Sequence, residues 1–96
     1  MEVRINAIHF DIADKLKAFV EKKAERLARR YAAITYFDVN FTLVKAASAM
    51  NKEALVKIII PHYGETVTTK TADTFEEAFD TALEAAERQL EKKTAE

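Results

Sequence analysis

The chain contains one proline and one glycine, and both lie in the segment PHYGE at residues 61–65. Proline fixes φ and lacks the N–H that a strand needs, and glycine accepts a positive φ, so Pro61 and Gly64 predict a tight turn. The rest of the 96 residues lacks both breakers, which favours long helices and strands without a flexible linker. We therefore expect one small domain over residues 1–96, with a single core.

Four segments have the pattern of β-strands. Residues 1–7 and 36–46 alternate between apolar and polar side chains, as in strands with one buried face. Residues 54–60 are a nearly continuous β-branched run, which is typical of an interior strand. Residues 65–72 hold four threonines around Val67 and indicate a more exposed strand. The polar segment 46–53 is predicted to be a loop.

Two segments have the apolar spacing of amphipathic helices. The first covers residues 11–31, and Asp11 or Asp14 is expected to cap its start. The second begins at Thr74, where Glu77 completes a capping box. The order β-α-β-β-β-α predicts an α+β fold, in which both helices pack on one face of a four-stranded sheet and the other face is partly exposed.

Composition excludes several classes of function. The absence of cysteine excludes a disulfide framework, thiol catalysis and a zinc ribbon. His9 and His62 are the only histidines, and no ligands at zinc spacing accompany either. No nucleophile elbow or glycine-rich phosphate loop is present. No apolar run reaches the length of a membrane span and the N-terminus lacks a signal-peptide layout, so we expect a cytoplasmic, non-enzymatic protein without metal, cofactor or membrane partner.

The first helix carries a basic stripe, although the net charge of the chain is only -1. At about 100° per residue, six cations fall within an arc of about 120°: Lys15, Lys22, Lys23, Arg26, Arg29 and Arg30. Like charges at these spacings repel by a few tenths of a kcal/mol per pair, so stability alone does not favour the stripe. Such a stripe is the expected footprint of phosphate contact. Charged helix faces are also commonly just solvated, so the pattern alone leaves both interpretations open.

The last helix carries the complementary charge. Its acids share about 100° of surface: Glu76, Glu77, Asp80, Glu84, Glu87 and Glu91. Arg88 and Lys92 border this acidic strip, and Lys93 lies near the end of the helix. The two helices therefore predict a strongly dipolar molecule.

The two ends of the chain resemble the ribosome hibernation-promoting factor family, the short ribosome-associated inhibitors of bacteria. The resemblance lies in MEVRINAIHFDIADKLKAFVEKKAERL at residues 1–27 and in TADTFEEAFDTALEAAERQLEKK at residues 71–93. The β-α-β-β-β-α plan between the two segments strengthens it. It implies a sheet of four strands backed by two helices, similar to double-stranded RNA-binding domains.

The resemblance also implies binding rather than catalysis. Members of this family occupy the mRNA and A- and P-site tRNA region of the small ribosomal subunit, contact its rRNA through basic helix faces, and keep ribosomes inactive under stress. The bases that match the family are Lys17, Lys23, Arg26, Arg29, Arg88 and Lys92. The helical geometry adds Lys22, Arg30 and Lys93 to this surface.

Two departures from the family accompany these matches. Ala85 stands where the family often has a lysine, one turn before Arg88, so one phosphate contact is missing. The acidic strip of the last helix and the pI of about 6.1 are also less favourable for phosphate contact than in basic relatives. Apart from these departures, the sequence ends at Glu96, so we expect the short form, without the C-terminal domain that pairs ribosomes in the long form.

Two alternative functions follow from the same residues. A general double-stranded RNA-binding module normally has lysines at the start of its last helix, where this chain has Asp73, Glu76 and Glu77. A protein-interaction domain would use the exposed sheet face, and the strand at residues 65–72 is a plausible edge for a homodimer with a second copy of the chain.

Overall fold

In a computed structural model of the chain, the structure describes residues 1–44 and 49–94, with the backbone alone at residues 93 and 94. The elements confirm the predicted order and are β1 (Glu2–Ile8), α1 (Asp14–Arg30), β2 (Tyr36–Leu43), β3 (Lys52–Ile60), β4 (Gly64–Ala72) and α2 (Phe75–Thr94).

The sheet has the order β1-β2-β3-β4, so β3 is interior and β4 is an edge, as their compositions predict. β1 pairs with β2 in parallel, and the other two pairs are antiparallel. Parallel neighbours require a crossover connection, which α1 supplies. His62 and Gly64 have positive φ values of 75° and 94° in the predicted turn before β4.

The core lies between one face of the sheet and the two helices. Phe41 of β2 contacts two aromatic rings of α2, with centroid distances of 5.3 Å to Phe75 and 6.2 Å to Phe79. Phe19 of α1 meets Phe79 at 6.1 Å. Both helices therefore cover the same face, which confirms the predicted α+β architecture. On the open face, Asn6 Nδ2 donates to Asn40 Oδ1 at 3.0 Å.

The helices lie side by side and run in the same direction. Successive contacts join Phe19 to Phe79, Lys23 to Asp80 and Arg30 to Glu87. Both helix C-termini therefore lie at one end of the molecule, and the outward surfaces of α1 and α2 form one continuous side.

The caps of the two helices compare differently with the sequence-based expectations. The N-cap of α1 is Ala13, without a side-chain hydrogen bond, so neither Asp11 nor Asp14 caps the helix; Asp14 instead supplies negative charge to the first turn. The Thr74 cap of α2 is confirmed, because its hydroxyl accepts from the Glu77 N–H at 3.1 Å.

The β2–β3 connection also differs from the prediction. β3 begins at Lys52, two residues earlier than expected, because the Val44 N–H donates to the Asn51 carbonyl at 2.9 Å and extends the hairpin pairing. β2 ends at Leu43. The remainder of the predicted strand at residues 45 and 46, and the loop through Ser48, lie outside the described residues.

Candidate nucleic-acid interface

The outward side of α1 carries four solvent-exposed cations, Lys15, Lys22, Arg26 and Arg29, which we call the basic face. Within residues 1–44 and 49–94, none of the four side chains makes an ion pair or a hydrogen bond. Lys15 was not among the predicted binding residues, yet helical spacing puts it on this face. The basic face therefore offers unpaired donors to an anionic partner.

Lys23 and Arg30 point from α1 toward α2 and are already paired. Lys23 Nζ lies 3.4 Å from Asp80 Oδ1, and an Arg30 guanidinium nitrogen donates a hydrogen bond to Glu87 Oε2. Each pair is partly exposed to solvent, so it contributes about 0 to 1 kcal/mol to stability. The two cations are therefore loosely held by carboxylates.

These pairs line a groove of about 230 Å³ between the helices, which we call the interhelical groove. Its lining residues are Lys23, Arg26, Leu27, Arg30, Asp80, Leu83, Glu84 and Glu87. Three cations face three carboxylates, so the formal charges of the lining cancel. The groove is therefore electrostatically mixed, and it shares Arg26 with the basic face.

Tyr31, which follows the last residue of α1, lies close to Arg30 and to carboxylates of α2. The Arg30 guanidinium lies 5.8 Å from the centre of the Tyr31 ring. Burial and the nearby Glu91 carboxylate raise the pKa of Tyr31, and Glu87 adds to the increase, whereas Arg30 opposes it. The phenol is therefore neutral at physiological pH.

The other predicted residues whose side chains are described, Lys17, Arg88 and Lys92, are not contiguous with the basic face. Lys17 is exposed but lies about 200° around α1 from Lys15, beyond the core-facing stripe. Arg88 and Lys92 are exposed on α2, and the acids of the strip, including Glu84 and Glu87, lie between them and α1. Lys93 is in the last turn of α2, and its side chain is outside the described residues.

The pairing of the two helices is a feature that the sequence analysis missed. Each helix was correctly seen to sort its charges, but the acidic strip was not expected to bind part of the basic stripe. A signal was present, because Lys23 and Arg30 are seven residues apart and so are Asp80 and Glu87. Residues seven apart lie on nearly the same side of a helix, so two such pairs on parallel helices can meet at two successive levels.

The described residues contain no candidate metal site and no candidate membrane-spanning helix. There, no three His, Cys, Asp or Glu side chains cluster as a metal ion would require. Neither α1 nor α2, as far as the structure describes them, combines the length and apolarity of a bilayer-crossing helix.

Comparison with known proteins relates this architecture to a family. The family described as Sigma 54 modulation protein / S30EA ribosomal protein matches residues 3–95. Among curated proteins, none matches the chain.

Two solved structures share the fold. A ribosomal subunit interface protein from Coxiella burnetii superimposes with a TM-score of 0.87 at 21% identity, over 100% of both chains. The N-terminal domain of Thermus thermophilus Protein Y gives a TM-score of 0.79 at 22% identity, over 96% of this chain and 98% of that one. At such identities these likenesses concern the fold alone.

The family match extends over nearly the whole chain, well beyond the two terminal motifs that carry the resemblance in the sequence. It confirms that resemblance. The chain therefore belongs to the Sigma 54 modulation protein / S30EA ribosomal protein family.

Proposed function

We propose that this protein binds the small ribosomal subunit in the cytoplasm and inhibits translation by occupying the mRNA and A- and P-site tRNA region, keeping ribosomes inactive under stress. The observation that carries the proposal is the basic face of α1, four exposed cations without acidic partners among the described residues. Family membership supports a ribosomal partner, as does the description of the Coxiella burnetii structure as a ribosomal subunit interface protein. The proposed unit of function is the single domain of residues 1–96.

The basic face suits rRNA because phosphate contacts dominate the affinity of proteins for nucleic acid. Arg26 and Arg29 present planar guanidinium groups that bind phosphate oxygens in pairs, and Lys22 adds a point charge beside them. Lys17, Arg88, Lys92 and Lys93 are proposed as outer contacts. Lys23 and Arg30 reach phosphate only when they leave Asp80 and Glu87.

A general double-stranded RNA-binding module is disfavoured by the start of α2. Its first turn carries Glu76 and Glu77, and Asp73 precedes it. Three carboxylates at this position repel the phosphates that such a module reads, even though a helix N-terminus by itself attracts anions. Duplex RNA therefore serves as a comparison ligand rather than as the proposed partner.

Self-association is the alternative arrangement that the sheet offers. β4 is an edge strand, so a second copy of the chain has backbone groups to pair with. Lys70 opposes such pairing, because it pairs with Ala54 in a row on the helix side of the sheet yet remains exposed. A charge directed inward at an edge is a common device against edge-to-edge association.

The proposal is tested by co-sedimentation of the purified protein with vacant bacterial small subunits. The native chain is expected to pellet near stoichiometrically at low salt, and the Arg26→Glu/Arg29→Glu variant to bind at least about tenfold more weakly. Circular dichroism verifies that the variant is folded.

The matched control is Arg4→Glu/Lys70→Glu, which changes the net charge equally at exposed positions of the sheet. It should retain most of the native affinity. An equal loss in both variants would assign the effect to net charge. A native chain that stays in the supernatant would refute ribosome binding and direct attention to self-association through β4.

A further inference from the structure

The interhelical groove holds carboxylates where a phosphate would meet Lys23 and Arg30. Asp80 forms an ion pair with Lys23, and Glu87 accepts a hydrogen bond from Arg30. A carboxylate and a phosphate both present paired oxygens to a cation, and Arg binds the two by the same planar geometry. The protein therefore supplies its own anions to two of the nine cations predicted to bind RNA.

The ion pairs are positioned to compete rather than to lock the helices together. Lys23 and Asp80 have side-chain exposures of 33% and 40%, and Arg30 and Glu87 of 60% and 26%. Partly hydrated pairs exchange readily with other ions and are weakened by salt. A phosphate that entered the groove would displace both carboxylates but would remain close to their negative charge and to that of Glu84.

We propose that Asp80 and Glu87 set the selectivity of the RNA-binding surface by occupying Lys23 and Arg30 and opposing phosphate binding in the groove. This inference rests on the proposed function, because it concerns the same surface. Any RNA then lacks Lys23 and Arg30 as phosphate contacts, so a duplex of arbitrary sequence binds weakly. A shaped site that offers further contacts is preferred, since specificity is a difference of affinities.

The test is the Asp80→Asn/Glu87→Gln variant, which removes two charges with little change in shape. Its affinity for a short duplex RNA of arbitrary sequence is expected to rise about three- to tenfold at about 50 mM salt. The slope of log affinity against log salt should steepen by up to about 2, because two more cations become available to phosphates. Binding to small subunits should rise less than binding to the duplex.

The control is Glu2→Gln/Glu53→Gln, which changes the net charge equally on the open face of the sheet. This control should gain less than about twofold, because the charges it removes lie on the opposite side of the sheet from both helices and are screened. Thermal melts verify folding. The single variants Asp80→Asn and Glu87→Gln repeat the test with about half the change in slope.

Three results would overturn the inference. The first is an equal gain in duplex affinity in the control. The second is that the Asp80→Asn/Glu87→Gln variant gains as much affinity for small subunits as for the duplex. The third is that this variant binds the duplex no better, or less well, than the native chain. Weaker duplex binding would mean that Asp80 and Glu87 orient Lys23 and Arg30 for contact with RNA. The proposed function is judged separately, by whether the native chain binds small subunits.

Discussion

At the scale of single residues, two threonines on β4 make opposite contributions to stability. Both Thr66 and Thr68 are buried on the helix side of the strand. Thr68 Oγ1 donates to the Ala82 carbonyl of α2 at 2.8 Å. Thr66 Oγ1 has no hydrogen-bond partner among the described residues. A buried hydroxyl without a partner is destabilising, because it loses its hydration without compensation.

We therefore expect Thr68→Val to lower the free energy of unfolding by about 1 kcal/mol and Thr66→Val to raise it by a similar amount. Valine keeps the shape and β-branching of threonine, so the hydroxyl is the main change. Urea denaturation of the two variants beside the native chain measures both values. A loss of stability in both would show that the Thr66 hydroxyl is hydrogen-bonded in solution.

The cap of α1 shows why some residue-level expectations fail. Asp11 and Asp14 are both favourable cap residues, but the observed N-cap is Ala13. Cap identity depends on where the chain turns into the helix, and the packing of Phe10 on Phe75 at 4.5 Å helps to set that entry. The contact joins distant parts of the chain, so local composition does not reveal it.

At the scale of elements, local patterns predicted every helix and strand. Hydrophobic periodicity indicated α1, α2, β1 and β2, and β-branched composition indicated β3 and β4. Boundaries were less accurate where polar residues continue a strand: Lys52 and Glu53 belong to β3 although they resemble loop residues. Their strand conformation depends on pairing with Thr42 and Leu43 of β2 and with β4. Such pairing is a tertiary property, which a local pattern does not contain.

A lysine in place of Ala85 on α2 is expected to strengthen binding to small subunits. This residue is partly exposed one turn before Arg88, and Ala85→Lys supplies the cation that the family resemblance leads us to expect there. We expect affinity for small subunits to rise about two- to threefold, and the salt slope to steepen by about 1, for one added phosphate contact. Alanine and lysine both favour helix, so stability should change little.

The control for Ala85→Lys is Val67→Lys, which adds the same charge at an exposed position on the open face of the sheet. Co-sedimentation over a range of salt concentrations compares the two variants. An equal gain from Val67→Lys would show that net charge alone governs affinity and that α2 makes no contact near Ala85.

The edge strand β4 provides a further prediction, about self-association. Lys70 interrupts the run of threonines and Val67 at residues 66–71, and Lys70→Val leaves this part of the edge without a charge. We expect this variant to associate in a concentration-dependent way, because uncharged β-branched edges pair readily. Analytical ultracentrifugation compares it with Lys70→Arg, which keeps the charge and should behave like the native chain. Equal behaviour of all three proteins would remove Lys70 as the protecting residue.

At the scale of the whole molecule, the distribution of charge matters more than its sum. The sequence predicted a dipolar molecule, but the structure brings part of the basic stripe against the acidic strip. Of the six cations in the stripe, only the four of the basic face remain unpaired among the described residues. Rotating either helix about its axis would change this outcome without changing the sequence pattern, so helix packing had to be known first.

The number of cations that contact RNA can be counted from salt dependence. For about 0.9 units of log–log slope per contact, the four cations of the basic face predict a slope of about -3 to -4 for binding to small subunits, whereas all nine predicted residues would give about -8. Between about 50 and 200 mM salt, affinity would fall about a hundredfold in the first case and about 10⁵-fold in the second.

Titration of the native protein at several salt concentrations separates these values. A slope near -8 would mean that Lys23 and Arg30 leave their carboxylates on binding and that α2 joins the interface, whereas a slope of about -3 to -4 assigns the binding energy to α1.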